Sequence, residues 1–337
     1  MSRARDTSKS ATALSTGTVT STSDSSFNGV RVGQGNLTAN NNTALGNNTL
    51  GALTTGGGQN TAVGQSAGQS LTSGAYNTAM GFAALAAGTT AFGATALGVY
   101  ALQSATSGAG TAVGLQAGQN TTTGSVQAFG YLACQLNTTG SANNAFGNQA
   151  SQNNLTGTNN NAFGSLALLN NTGTSNSGFG DSAGSSNTTG GNNTFIGYNA
   201  QGSSATVSNT ITLGNSAVTT LRCNTTSITS LSDQRDKTDI KPLILGLDFI
   251  NALKPVTFEW NMRDGGKVGV KDAGFIAQDL VAAEDAVDAH DYLQLTFRDN
   301  PEKLEASQGR LIPVLVKAIQ DLSAELATLK EQINGNN

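Results

Sequence analysis

A short pattern of polar and apolar positions recurs through much of the chain. Each copy reads Thr or Asn, Ala, an apolar residue, Gly, two variable residues and Ala, as in residues 61–67. Neighbouring glycines are 16, 17 or 18 residues apart, and ten of the eleven are followed three residues later by Ala. These glycines are Gly46, Gly64, Gly81, Gly98, Gly114, Gly130, Gly147, Gly164, Gly180, Gly197 and Gly214. Such regularity indicates stacked structural units.

A unit of this length predicts one coil of a β-solenoid. It is too short for a pair of helices or a propeller blade, and it fits two short strands and two turns. We expect the apolar residue and the alanines to point into a narrow core, with glycine at a bend that needs positive φ. Eleven coils about 4.8 Å apart would form a rod roughly 50 Å long.

The periodicity becomes helical in the last third of the chain. Leu245, Phe249 and Leu253 share a helical face that ends before Pro255, and residues 256–260 then alternate as a strand. The chain is therefore expected to be mostly β, with a small α+β domain after the solenoid.

The most regular helix is expected at about residues 310–334. Its apolar residues are three and four positions apart, which is the heptad spacing of a coiled coil. Glu325 and Lys330 occupy positions that can pair between helices. By the general rule, Ile at most a positions with Leu at d favours two strands. The heptad residues are Ile312, Leu315, Ile319, Leu322, Leu326, Leu329 and Ile333.

Charge is distributed very unevenly along the chain. Asp181 is the one charged residue between Val32 and Leu221, whereas residues 222–337 contain thirty-one. The formal net charge of −4 gives no electrostatic reason to expect nucleic acid or an anionic membrane as a partner. Glycosidases use two carboxylates close together. With Asp181 alone, the solenoid is not expected to cleave polysaccharide unless several chains share this residue.

Other residue types add little chemistry. The chain has no run of eighteen apolar residues and no apolar segment behind its first basic residues, so we expect neither membrane insertion nor a signal peptide. Cys134 and Cys223 fit no metal or redox spacing and are expected to be buried. His290 lies in an acidic run with Glu284, Asp285, Asp288 and Asp291, and this run is expected to form a solvated face. No cofactor and no metal are expected.

A serine and a lysine stand five residues apart where the charge density changes, as Ser232 and Lys237. Such a pair can act as nucleophile and base if burial, or a nearby cation such as Arg235, keeps the lysine neutral. The alternative interpretation is that Ser232 caps a helix and Lys237 is solvated.

Three segments in this region follow each other in a specific order. They are Leu-Ser-Asp-Gln-Arg-Asp-Lys-Thr-Asp-Ile at 231–240, Leu-Lys-Pro-Val-Thr-Phe-Glu-Trp at 253–260 and Gly-Phe-Ile-Ala-Gln-Asp-Leu at 274–280. Together they resemble the C-terminal intramolecular chaperone domain of phage endosialidases and many phage tail fibres, which is also classed as a self-cleaving serine peptidase. The resemblance implies a domain that trimerises a fibre, templates its folding and then cuts itself off. It assigns the catalytic roles to Ser232 and Lys237.

The resemblance also implies a homotrimer, and we expect the domain rather than the short heptad seam to set that number. The repeat itself resembles, less specifically, the β-roll heads of trimeric bacterial adhesins. The expected organisation is an N-terminal attachment segment at 1–36, a shaft at 37–218, a β connector at 219–231 and a chaperone domain at 232–337. The coiled coil would lie within this last domain.

The leading hypothesis is a phage tail fibre, made in the host cytoplasm and carried on the virion. Its expected partners are tail or baseplate proteins and a bacterial surface receptor, with a glycan expected as the receptor. Any enzyme activity would be at most a single-turnover serine autopeptidase that cuts beside Ser232. The alternatives are a bacterial trimeric surface adhesin and a tailspike enzyme that degrades polysaccharide.

Overall fold

A computed structural model describes residues 24–27, 30–35, 41–54, 57–108, 110–224 and 228–335. The chain divides into two compact units, Met1–Gly214 and Asn215–Asn337, which are treated separately below. Except for 24–27 and 30–35, the expected attachment segment at 1–36 lies outside the described residues.

The first unit is a β-solenoid with one coil per repeat. Its parallel strands are β3 Thr43–Leu45, β4 Thr61–Val63, β5 Thr78–Met80, β6 Thr95–Leu97, β7 Thr111–Val113, β8 Val126–Phe129, β9 Asn143–Phe146, β10 Asn161–Phe163, β11 Ser177–Phe179, β12 Thr194–Ile196 and β13 Ile211–Leu213. Each strand pairs with the next so that equivalent repeat positions lie opposite one another, as Ala62 does with Ala79. Every repeat glycine directly follows its strand. The solenoid prediction is confirmed.

An antiparallel hairpin precedes the first coil. It consists of β1 Ser25–Phe27 and β2 Val30–Gly33, and β2 pairs antiparallel with β3. Asp24 holds this end together, because its carboxylate accepts the Gln34 N–H at 2.7 Å and forms an ion pair with Arg31 at 3.2 Å. Repeat folds need an atypical terminal unit of this kind to protect the first coil.

The second side of each coil differs from the expected second strand. In the coil that follows β4, Ser66 has φ 61° and Gly68 has φ 58°. The Ala67 N–H donates to the Gly64 carbonyl, and the Gln69 N–H donates to the Ser66 carbonyl, both at 3.3 Å. Positive φ at the third residue of a turn defines type II turns, and an extended strand excludes it. Among the described residues, each coil thus consists of one strand and successive tight turns.

The repeat glycine is required by the approach of the next coil. Gly114 has φ 137°, and a Cβ added there would lie 2.4 Å from the carbonyl oxygen of Gly130. Any other side chain would therefore meet both backbone strain and a clash with the next coil.

The direction of the side chains corrects one expectation. The alanines do fill the interior, and Ala62 and Ala67 are completely buried. The apolar residue before glycine points outward instead, so that Met80 and Phe146 are 38% and 37% exposed. Successive side chains on a strand point to opposite faces. Because the strand alanine points inward, the residue after it must point outward.

A column of buried asparagines connects the coils in the interior. The Asn143 Oδ1 accepts the Asn160 N–H at 3.0 Å, and the Asn160 Oδ1 accepts the Asn176 N–H at 2.9 Å. The Asn160 amide also donates to the Gly173 carbonyl at 2.9 Å. Each asparagine thus satisfies backbone groups that water cannot reach.

The second unit is a small α+β domain. Its elements are α1 Leu247–Ala252, β14 Val256–Asn261, β15 Val268–Gly274, α2 Ala277–Ala286, α3 His290–Leu293, β16 Thr296–Phe297, β17 Glu305–Ala306 and α4 Leu311–Gly335. The pairs β14–β15 and β16–β17 are antiparallel. Phe249, Leu280, Leu295 and Val314 belong to the buried core. None of the helices in the described part of the chain is long and apolar enough to cross a membrane.

Two parts of this unit are exposed to solvent. Residues 219–224 and 228–231, where a β connector was expected, form no strand and are exposed. In the described part of the chain they have no neighbouring strand with which to form a ladder. The long helix α4 uses Leu311, Val314 and Ala318 to contact its own domain, whereas its heptad residues are 43–64% exposed.

We expect Asn160→Ala to lower the free energy of unfolding of the shaft by about 2–4 kcal/mol, because two buried backbone groups lose their partner. Asn153→Ala is the matched control, since its surface amide donates only to the Asn170 side chain at 2.8 Å. The control should change stability by no more than about 0.5 kcal/mol. Urea unfolding followed by circular dichroism measures both, and equal losses would contradict a role for burial.

Candidate functional site

A short 3₁₀ turn at Gln234–Asp236 brings Ser232 and Lys237 together. The Lys237 N–H donates to the Gln234 carbonyl at 3.1 Å and closes the turn. As a result, the Lys237 Nζ lies 2.6 Å from the Ser232 Oγ and 3.3 Å from the Ser232 carbonyl oxygen. Contact at this distance is what a nucleophile and its general base require.

Asp233 caps this turn, so the serine hydroxyl is not used for capping. The Asp233 carboxylate accepts the Arg235 N–H at 2.9 Å and forms an ion pair with the Arg235 guanidinium at 2.6 Å. The hydrogen bond from the guanidinium is the main reason why the pKa of Asp233 lies below its ordinary value, and it raises the pKa of Arg235 in return. The positive charge of Arg235 is thus compensated within the turn.

The pair is nevertheless open to solvent in the single chain. Ser232 and Lys237 are both exposed, and the preceding Leu231 is 98% exposed. A lysine acts as a base only in its neutral form, which burial favours and water disfavours. The single chain therefore supplies the contact that a nucleophile and a base would need, but not the desolvation.

A second polar cluster surrounds Glu284, whose side chain is completely buried. Its carboxylate accepts the Leu295 N–H at 2.5 Å and the Thr296 hydroxyl at 2.6 Å, and it pairs with Arg298 at 3.1 Å. Burial alone would raise the pKa of Glu284, but these hydrogen bonds outweigh it, and the pKa lies below the ordinary value. The expected solvated face is thus wrong for Glu284, because its partners follow it by eleven or more residues in sequence. His290 approaches the same carboxylate at 3.4 Å and is partly exposed.

The other residues singled out from the sequence belong neither to the Ser232–Lys237 pair nor to the Glu284 cluster. Cys134 is buried as expected, and burial raises the pKa of its thiol to about 12. Cys223 is exposed, contrary to expectation. Asp181 is exposed and accepts a hydrogen bond from the Ser182 hydroxyl at 2.7 Å. In the described part of the chain, no group of three or more His, Cys, Asp or Glu is placed to hold a metal ion.

Comparison with known proteins assigns part of this unit. The family model described as "Chaperone of endosialidase" matches residues 232–290, which begin at the candidate serine and include Lys237 and Glu284. The match covers 59 of the 337 residues, so it characterises this domain and not the shaft. No curated protein matches the chain, and no solved structure matches it.

We expect Glu284→Gln to lower the free energy of unfolding of the second unit by about 3 kcal/mol, because Arg298 loses its buried partner. Asp285→Asn is the matched control, since this carboxylate binds Arg298 at 2.8 Å but is 56% exposed. Asp285→Asn should lower the free energy of unfolding by no more than about 1 kcal/mol. Denaturant titrations of all three proteins provide the measurement.

The same carboxylate predicts a dependence on pH. Because the pKa of Glu284 is depressed in the folded state, its contribution is present above the ordinary pKa of glutamate, about 4.3, and is lost as pH falls through the folded value. The wild type should therefore lose more stability than Glu284→Gln between neutral and acidic pH. Parallel loss in the two proteins would contradict this account.

Proposed function

We propose that the chain is a fibre protein of the phage tail-fibre or tailspike type, in which a chaperone domain assembles three copies of a β-solenoid shaft. The observation that carries this proposal is the presence of both parts in one chain. A domain matching the chaperone of endosialidase starts at residue 232, and the coils of the solenoid end near residue 214. Because the repeat is nearly uncharged, the surface of the rod would contact other molecules through apolar and uncharged polar groups.

The heptad face of α4 supports association through this helix. Its residues are 43–64% exposed, although the adjacent face of the first turns of α4, formed by Leu311, Val314 and Ala318, is packed into the domain. A continuous exposed apolar seam with heptad spacing is typical of a helix that pairs with other helices. In the proposed homotrimer, three copies of α4 bury this seam against one another.

Assembly would also activate the Ser232–Lys237 pair. The apolar residues that flank it in sequence, Ile228, Leu231 and Ile240, are 95%, 98% and 64% exposed in the single chain. In the trimer we place a neighbouring copy over them. Removal of water there would favour the neutral form that a lysine needs in order to act as a base. Cleavage would thus follow assembly.

The proposed reaction cuts the bond between Leu231 and Ser232. The Ser232 Oγ attacks the Leu231 carbonyl carbon while the Lys237 Nζ takes the hydroxyl proton. The proton passes to the Ser232 nitrogen as the C–N bond breaks, which leaves an ester between Leu231 and the serine oxygen. Water hydrolyses this ester and yields a Leu231 carboxylate and a free Ser232 fragment. Each molecule reacts once.

On this proposal the mature shaft acts on the virion in adhesion to a host surface. Its partners would be tail or baseplate proteins at one end and a bacterial surface receptor, for which a glycan is the leading candidate. The chain would be made in the host cytoplasm before it joins the particle.

Before cleavage, we expect the wild type to have the mass of three 34.0-kDa chains in native mass spectrometry. The double variant Leu322→Asp/Leu326→Asp should lose this assembly, because charges on the seam would be buried without partners. Ala327→Asp/Thr328→Asp places the same charges on α4 outside the seam and should remain assembled. A wild-type mass of one or two chains would contradict the trimer.

We expect the assembled wild type to release a C-terminal fragment that begins at Ser232, as seen on denaturing gels and by N-terminal sequencing. Ser232→Ala and Lys237→Ala should assemble but stay intact, whereas the control Lys241→Ala should be cleaved, since Lys241 pairs only with exposed Asp239 at 2.9 Å. The unassembled Leu322→Asp/Leu326→Asp protein should also stay intact. Cleavage of that variant at the wild-type rate would refute activation by neighbouring copies.

A further inference from the structure

An outward column of apolar side chains runs the length of the solenoid, and we name it the strand-face ladder. It consists of Leu45, Val63, Met80, Leu97, Val113, Phe129, Phe146, Phe163, Phe179, Ile196 and Leu213. Eight of the eleven are 37–51% exposed, and the other three are partly buried. The sequence pattern had suggested an inward direction, so this surface emerges only from the structure.

The ladder is one continuous surface rather than a set of separate side chains. The rings of Phe129 and Phe146 stack at 4.6 Å, those of Phe146 and Phe163 at 4.9 Å, and those of Phe163 and Phe179 at 5.2 Å, with interplanar angles of 6–7°. Stacking along the solenoid buries the sides of each residue but leaves the outer edges uncovered. The remaining apolar area therefore faces away from the solenoid along its whole length.

The chemistry of this face is unlike that of a surface built for water. Surfaces that keep a protein soluble are commonly about 25–35% charged. Between Val32 and Leu221 the chain offers only Asp181. No charge in the ladder itself opposes close approach by another apolar surface.

The dimensions of the ladder indicate what could cover it. Three-residue strands are roughly 10 Å wide, and eleven coils extend for roughly 50 Å, which gives a flat footprint of about 500 Å². The ladder is one of the two outward positions of each strand, and the other is Thr, Asn, Ser or Gln in most coils, so the apolar share is about half of this footprint. The strand face would therefore supply part of the ~800 Å² per partner of a stable protein interface.

The repeat spacing then selects the partner. A molecule that contacts all eleven rungs must present groups at the same spacing of about 4.8 Å along a straight line. A second copy of this chain has that spacing by construction. Parallel copies in the same register would place each ladder residue opposite its own equivalent.

We propose that the strand-face ladders of the three copies pack against one another along the axis of the fibre, with the shafts parallel and in register. This inference rests on the multi-chain fibre proposed above and adds the surface through which the shafts meet. It assigns a function to the outward apolar position of every repeat.

The test uses the full-length chain with Cys223→Ser and one new cysteine. Phe146→Cys places a thiol on the ladder, and Leu155→Cys places one on a turn residue that is 47% exposed. In the assembled protein we expect a short bis-maleimide to join Phe146→Cys chains and an excess of a bulky maleimide to label them slowly. The control should label fast and remain uncoupled. Both variants should have the wild-type circular dichroism spectrum.

The outcomes separate this inference from the proposed fibre. An assembly of three chains in which Phe146→Cys labels as fast as Leu155→Cys and does not couple would overturn the shaft interface and leave the fibre intact. A mass of one chain would overturn both. Protection of the ladder cysteine only after addition of host surface polysaccharide would make the ladder a receptor site and would also overturn the inference.

A second variant gives the result without cysteine chemistry. With cleavage blocked by Ser232→Ala, Phe146→Lys/Phe163→Lys should remain a trimer through α4, but its residues 41–214 should be at least tenfold more sensitive to protease than those of Ser232→Ala alone. The control Leu155→Lys should leave the protease sensitivity of these residues unchanged. Unchanged protease resistance of the double variant would count against packing at the ladder.

Discussion

The structure depends on one constraint: each coil must hydrogen-bond its backbone to the next coil at the spacing of a β-sheet. The strand side does so through in-register parallel pairing, and the turn side through bonds such as the Gly68 N–H to the Ala84 carbonyl at 2.9 Å. With the spacing fixed, the interior is filled mainly by alanine, a few larger apolar residues and asparagine. Glycine is required where one coil nearly touches the next, as at Gly114. The repeat pattern therefore follows from the stacking distance.

This constraint explains what could be predicted from the sequence. Periodicity gave the number of coils and the strand positions, because both repeat with the glycines. The second strand was wrong because type II turns in these coils place residues such as Ser66 at positive φ, which their side-chain types do not signal. The outward direction of Phe146 was missed because an apolar residue was assumed to be internal. Its direction is in fact set by the neighbouring alanine.

The contacts of the candidate site also differ in whether they form within one turn or between residues far apart in sequence. The contact between Ser232 and Lys237 is local and formed by one turn. Their spacing left two interpretations open, and the resemblance to the chaperone domain favoured the paired one. The environment of Glu284 depends on Thr296 and Arg298, which reach it through the fold of the domain, so that sequence spacing suggested a solvated acid instead. The removal of water that a catalytic lysine would need is not provided by the single chain at all, so it could not be predicted from the chain's own contacts.

Different surfaces would hold the chains together before and after cleavage. The exposed face of α4 would act before the Ser232–Lys237 pair reacts, and the exposed ladder would act afterwards. Cleavage before Ser232 would separate α4 from the shaft, so the helix could hold the chains together only until the reaction occurred. Afterwards the proposed shaft interface would have to do so alone. Dissociation of such shafts would expose the ladder on every chain at once, while reassembly would lack the domain that brought the chains together. The cleaved fibre would therefore persist because separation is slow, and its lifetime would depend on the apolar residues of the shaft.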